Sequence, residues 1–203
     1  MGIDWIGFII ASIAVVLAPG PGSLFVAKTA TTSGMRAGFM AMLGIMVGDT
    51  CLIVLSLLGV SALFHAHPSL FHAIRLFGAG YLIFLGLQAM LTKSKKELGY
   101  AHGRNRSFMR AVSITLLNPK AVFFFMAFFP VFIKSPENGL LAAYAIMTPV
   151  FQIVSAAYLS ALIRASSWVA VAFRQNHVLE TVSRKLCGFV FIAFGLKAAL
   201  ASR

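Results

Sequence analysis

The stretch Leu17-Ala-Pro-Gly-Pro-Gly-Ser23 interrupts the first long apolar segment of the chain. Its two prolines remove backbone donors and its two glycines free the backbone, so an unbroken α-helix cannot pass through it. Inside a membrane, unpaired backbone groups are tolerated only where they face protein or a water-filled cavity. We predict that this break lines a cavity, through Pro19, Gly20, Pro21 and Gly22. The alternative is a helix that ends at the membrane interface, because Lys28 follows closely.

The composition of the whole chain is that of a membrane protein. Hydrophobic residues make up 60% of the 203 residues, charged residues only 11%, and the mean hydropathy is +0.91; soluble domains carry about 25% charged residues. A span needs about 20 residues. Cutting the chain at its charges gives six apolar windows: Ile6 to Ala27, Ala37 to Phe64, Leu76 to Leu91, Ala111 to Ile133, Gly139 to Ile163 and Leu186 to Leu200. We predict an all-α protein with six transmembrane helices in a single domain, residues 1–203.

The net charge of +12 is spread between the predicted spans, which argues against nucleic-acid binding. Twelve positive residues lie in alternate loops, six of them in residues 92–110, and the opposite loops hold little beyond Arg75 and Lys134. Cytoplasmic loops carry the excess of Lys and Arg, so we predict that this richer side is cytoplasmic and both termini are outside. If the sixth window does not cross the membrane, the C-terminus is inside. Binding of acidic lipids or a partner is the alternative role of the basic loop. Lys197, in the sixth window, is expected to extend to the interface.

A second break, Asn118-Pro119-Lys120, lies in the fourth window and is followed by a run of Phe and Met. A lysine inside a span costs about 3 kcal/mol on insertion scales unless it pairs or reaches water. Lys120 is therefore expected to face a partner, a cavity or, by snorkelling, the nearby interface. We predict that Asn118, Pro119 and Lys120 contribute to the substrate site. The rings of residues 123–129 are expected to face lipid or pack within the bundle, and contact with the substrate is the alternative.

Two polar residues deep in the apolar windows complete the candidate site. Asp49 has more than ten mostly apolar residues on either side, so we predict that it exchanges a proton or pairs with a cation. A structural salt bridge or hydrogen bond is the alternative. Gln152 follows Pro149 in the fifth window and needs a partner across a helix interface or in a cavity. Gly34, Gly38, Gly44 and Gly48 are expected to form a small-residue packing face.

The spacing of these residues indicates an internal repeat. Asp49 lies thirty residues after Pro19, and Gln152 lies thirty-three residues after Pro119. Each half has three spans, an odd number, so the second half must enter the membrane in the opposite sense. We predict inverted repeats, about residues 1–91 and 111–203. Broken helices at matching positions of inverted repeats point to a transporter's substrate site near the membrane midplane.

At these residues the sequence resembles the lysine exporter (LysE/RhtB) superfamily, in particular its neutral amino-acid exporters. The resemblance covers nearly the whole chain and rests on three motifs: Pro19-Gly20-Pro21; Ser33-Gly34-Met35 with Gly44 and Gly48-Asp49; and Leu117-Asn118-Pro119-Lys120-Ala121. It implies two inverted three-helix repeats in a bacterial inner membrane, exporting amino acids or related small metabolites by proton antiport, with the proton as coupling ion and no cofactor. Many members have a polar residue, often Asn, where this chain has Gly22 and Ser23, and a member may carry Glu where it has Gln152. These differences leave the substrate open.

We expect a neutral, aliphatic amino acid to bind between the two breaks, where amino ends of helices attract its carboxylate and free carbonyls bind its ammonium group. Asp49 would exchange the proton, and Lys120 would counter Asp49 or the carboxylate. Metal-ion export is one alternative, but the spans offer one acid and no His or Cys cluster, and His65, His67 and His72 gather only near a loop. A non-transporting subunit is another. The sequence has no GxSG, HExxH or CxxC motif, so we expect no enzyme; whether it is a monomer or a homodimer stays open.

Overall fold

The computed structural model describes residues 2–18, 20–66, 68–91, 107–134, 139–165 and 177–200. Within these ranges the chain forms eight α-helices: α1 (Trp5–Leu17), α2 (Pro21–Ser33), α3 (Met35–Ala66), α4 (Pro68–Leu91), α5 (Ser107–Leu116), α6 (Pro119–Val131), α7 (Leu140–Arg164) and α8 (His177–Leu200). The same ranges hold no β-strand, only an isolated antiparallel bridge between Ile3 and Ile133. The all-helical prediction is confirmed.

Local sequence sets where several of these helices begin. A proline at the first helical position loses no hydrogen bond, because that N–H has no intrahelical acceptor. Three helices start in this way, at Pro21, Pro68 and Pro119. Gly34, between α2 and α3, has a φ of 87°, which a residue with a side chain adopts only with strain. The short connection from α2 to α3 therefore depends on a glycine.

Two helices, α3 over Met35–Ala62 and α7, are long and apolar enough to cross a membrane. Helices α1 and α2 meet at an angle of 53°, and α5 meets α6 at 67°. Counting each bent pair as one span gives four candidates. Helices α4 and α8 have 24 residues each, and among their described residues the apolar segments are Leu76–Gln88 and Gly188–Lys197. The six-span inverted repeat stays a prediction.

The exposed side of α3 is apolar. Six large aliphatic side chains along it are between 44% and 60% exposed: Met40, Leu43, Val47, Val54, Leu55 and Leu58. A soluble protein rarely exposes such a continuous apolar surface. This surface matches the hydrocarbon of a bilayer, which agrees with the composition.

Glycines bring the helices into close contact. A Cβ added to Gly38 would lie 2.7 Å from the Cβ of Ala30 in α2, and one added to Gly48 would lie 2.7 Å from the Cβ of Thr115 in α5. Gly44, one turn before Gly48 in α3, lies equally close to α5. Gly34 takes no part in this packing, since a Cβ there would have nothing within 4 Å. The predicted small-residue face thus serves to dock α2 and α5 against α3.

The segment before α1 is fastened to one end of the bundle. The N–H of Asp4 donates to the carbonyl of Phe132 at 2.9 Å, and the N–H of Lys134 donates to the carbonyl of Gly2 at 2.7 Å. The Lys197 ammonium group donates to Asp4 Oδ2 at 2.7 Å, and this hydrogen bond holds the pKa of the carboxyl below its usual value. We call this set of contacts the Asp4 clasp. Lys197 thus has an ionic partner within the protein, and its extension to the membrane interface stays a prediction.

Candidate functional site

A cavity of about 190 Å³ lies where the α1–α2 junction, the α5–α6 junction and the middles of α3 and α7 meet. Drug-sized ligands occupy pockets of about 300–1,000 Å³, so this volume suits a small metabolite. Gly20, Pro21, Gly22, Asp49 and Asn118, all predicted site residues, line it. The structure therefore brings the two breaks and the acid together.

The first turn of α2 faces the cavity. The hydroxyl of Ser23 accepts a hydrogen bond from Gly20 N–H at 3.1 Å, and the carbonyl of Gly20 accepts one from Leu24 N–H at 3.0 Å. The N–H groups of Gly22 and Ser23 belong to the first turn and have no intrahelical acceptor. Free N–H groups and the positive end of the helix dipole favour an anion at this position.

The second junction supplies Thr115 and Asn118 to the lining. The carbonyl of Asn118 accepts hydrogen bonds from the N–H groups of Ala121, at 2.9 Å, and Val122, at 3.1 Å. The backbone thus turns at Asn118 and starts α6 beside the cavity. The predicted roles of the Pro119 and Lys120 side chains, and of Pro19, lie outside the part of the chain that the structure describes.

Asp49 carries the only charged side chain among the described residues of the lining. It is 8% exposed and sits in the middle of α3, away from both helix ends. Desolvating a carboxylate at such a position is costly unless it pairs or takes up a proton. Its position is therefore suited to binding a cation or a proton.

Four polar residues of the lining were absent from the predicted site: Ser23, Thr115, Ser155 and Tyr158. Ser155 is only 4% exposed. With Phe151 and Leu159 it forms one face of α7 at a spacing of four residues, and all three line the cavity. The signal available in the sequence was a serine with a large apolar residue four positions before it and another four positions after it, which places all three on one helical face.

Gln152 belongs to the adjacent face of α7 and contacts α3. Its amide nitrogen donates to the carbonyl of Met46 at 3.0 Å and to Thr50 Oγ1 at 2.9 Å. Its Oε1 is buried and accepts no hydrogen bond from the described residues. Gln152 is absent from the described lining of the cavity, and these contacts hold α7 against α3 on either side of Asp49 in the sequence. Its predicted role in substrate binding stays a prediction.

Aromatic rings close another part of the cavity. Phe124, Phe125, Phe151 and Phe191 line it, and each is at most 6% exposed. Phe123, in the same run, is 52% exposed. The expectation that residues 123–129 face lipid or pack in the bundle therefore holds for Phe123 and for the buried rings of Phe128 and Phe129, while two rings of the run also face the cavity.

A metal site has no support in the described part of the chain, where no three His, Cys, Asp or Glu side chains come together. The side chains of His65, His67 and His72 lie outside that part. The described side chains therefore offer no set of ligands to the metal-export alternative.

Residues 13–202 match the protein family described as LysE type translocator. A leucine efflux protein of Salmonella typhimurium is 34% identical over 198 residues, which cover 95% of this chain and 92% of that protein. A leucine efflux protein of Klebsiella pneumoniae is 30% identical over 97% of this chain and 95% of its own. An uncharacterized membrane protein of Pseudomonas aeruginosa is 33% identical over 98% of this chain and 96% of its own. No solved structure matches the chain.

Proposed function

Because this chain belongs to the LysE type translocator family, we propose that it exports neutral, aliphatic amino acids from the bacterial cytoplasm in exchange for protons. The observation that carries this proposal is the small cavity that holds both the buried carboxyl of Asp49 and the amino end of α2. The carboxylate of Asp49 attracts a cation, and the amino end of α2 attracts an anion. A zwitterion of small size satisfies both at once.

The substrate's carboxylate would accept hydrogen bonds from the free N–H groups of Gly22 and Ser23. Its ammonium group would lie toward the carboxylate of Asp49 and toward the carbonyls at the end of α1, where Val16 and Ala18 line the cavity. The remaining lining is mostly apolar, which suits an aliphatic side chain. A second cationic or anionic group on the substrate would find no matching partner among the described lining residues.

Proton coupling follows from competition at Asp49. When the carboxyl is ionised it attracts the ammonium group of the substrate, and when it is protonated it loses that attraction. A proton arriving from the outside would therefore release the amino acid, and loss of that proton to the cytoplasm would restore the binding form. Export and proton uptake are linked because both need the same carboxyl.

Packing between α4 and α8 supports inverted repeats. Gly86 lies against Gly188, and Gly195 lies against Ala79, each within about 3 Å of an added Cβ. The sequence separation from Ala79 to Gly188 equals that from Gly86 to Gly195. A two-fold axis that exchanges α4 with α8 would turn one of these contacts into the other, as an inverted repeat requires.

The distribution of charge supports the orientation. Arg36 at the start of α3, Arg110 in α5 and Arg164 at the end of α7 lie at one end of the bundle, because α5 and α7 contact the first turns of α3. Lys197 lies at the other end, in the Asp4 clasp. The first end would be cytoplasmic, since basic residues flank spans on that side.

Amino-acid pools test this function directly. Cells with and without the protein are loaded with dipeptides, and intracellular and external amino acids are measured over time. We expect leucine, isoleucine or valine to fall inside the cells and rise outside, selectively and only with the protein. Equal pools in both strains, or loss of a non-amino-acid metabolite instead, would refute the proposal; cells expressing Asp49→Asn at the same level serve as the control.

A further inference from the structure

We propose that Phe124, Phe125 and Phe151 form a selectivity wall that limits the length of the substrate side chain. The proposal rests on the proposed function, because it assigns one part of the same cavity to the side chain of the exported amino acid. It makes these three rings specificity-determining residues. It differs from a packing role in predicting that a change in the rings alters which amino acid is exported.

The three rings form one interlocked unit. The ring centroids of Phe124 and Phe125 are 5.2 Å apart, and those of Phe125 and Phe151 are 5.4 Å apart. Phe128 lies behind them, 4.6 Å from Phe124 and 6.3 Å from Phe151. Close-packed aromatic groups of this kind cannot move aside without repacking their neighbours. The wall therefore sets a firm limit to the space in front of it.

Hydrogen bonds fix the wall independently of any substrate. Ser56 Oγ in α3 donates to the carbonyl of Phe125 at 3.0 Å. The hydroxyl of Tyr144 in α7 lies 3.1 Å from the same Oγ. This buried network ties α6 to α3 and α7 next to the rings. The position of Phe125 is thus set by the fold and is already in place when a substrate enters.

The polar groups and the wall occupy different parts of the lining, which gives the substrate a direction. In α3, Ser56, whose Oγ donates to the Phe125 carbonyl, lies seven residues beyond Asp49, about 10 Å along the helix axis. In α6, Phe124 and Phe125 lie more than one turn beyond Asn118. An amino acid held by Asp49 and the amino end of α2 would therefore direct its side chain to the rings.

Substitution of the wall tests the inference. The variants Phe124→Leu and Phe151→Leu shorten two lining rings. Phe132→Leu is the matched control, because Phe132 is a buried ring of the same aromatic cluster that is not among the described lining residues and whose described ring contacts are not with them. Each purified protein is reconstituted in liposomes loaded with labelled leucine. Unlabelled alanine, valine, leucine, methionine and phenylalanine then compete for export, and thermal unfolding of each variant confirms that it is folded.

We expect phenylalanine to gain about tenfold or more over leucine as a competitor in the wall variants, the scale of discrimination that an apolar pocket provides for one or two carbon atoms. The control is expected to keep the wild-type ratio. Wild-type ratios in a folded wall variant, or an equal shift in the control, would overturn the inference. Failure of the proposed function would appear separately, as a wild-type protein that moves no amino acid.

Discussion

Replacing Gly48 by alanine tests how α3 positions the second junction. The added Cβ would lie 2.7 Å from the Cβ of Thr115, whereas ordinary contacts begin at 3.4 Å. Helix α5 must therefore move by about 0.7 Å, or α3 must bend, and overpacking of this kind costs about 1–3 kcal/mol. Thr115 lines the cavity and Asn118 follows one turn later, so export is expected to slow as well.

Gly59→Ala is the matched control in the same helix, because a Cβ there would have nothing within 4 Å. Alanine restricts the unfolded chain and raises stability by about 0.4–1 kcal/mol where the site has room. Thermal unfolding of the two purified variants in detergent should therefore place Gly59→Ala at or above the wild type and Gly48→Ala below it. Equal unfolding temperatures for the two variants would refute the close packing of α3 on α5.

Two further predictions concern stability. Ser56→Ala should destabilise more, by about 1–3 kcal/mol, than Tyr144→Phe, at about 0.5–1.5 kcal/mol, because the first removes the partner of both the Tyr144 hydroxyl and the Phe125 carbonyl, whereas after the second Ser56 still donates to that carbonyl. The reverse order in thermal unfolding would contradict this network. The Asp4 clasp should stabilise the protein above a pH of about 4, the unfolded value, and lose that effect as the pH falls through the lowered pKa of Asp4. Between pH 6 and about pH 3, the unfolding temperature of Asp4→Asn should therefore fall less than that of the wild-type protein. The effect should be below about 1 kcal/mol, because the Lys197 side chain is 62% exposed. Equal falls in the two proteins would contradict the role of the clasp.

Several features of the site were predictable because their signals are local. A proline is favoured at the start of a helix and disfavoured in its interior, and the structure starts a helix at Pro21 and at Pro119. Asp49 stands out because an acid among apolar residues is rare in a span. These signals depend only on neighbouring residues, so they can be read without knowing which helices pack together.

Other features depend on tertiary contacts that the pattern of residues does not specify. Ser155 and Thr115 look like ordinary small residues until α5 and α7 are placed around Asp49. Gln152 was predicted to bind substrate, but whether its amide faces α3 or the cavity depends on the rotation of α7. The same holds for Phe123 and Phe124, adjacent rings of which one is exposed and the other lines the cavity.

Coupled transport in liposomes tests the central claim, that Asp49 links export to proton uptake. Purified protein is reconstituted with leucine and a pH-sensitive dye inside, and the outside is made acidic. The wild-type protein is expected to release leucine and admit protons together, Asp4→Asn to do the same, and Asp49→Asn to lose the leucine-dependent entry of protons. Undiminished, leucine-dependent proton entry through Asp49→Asn would contradict the account.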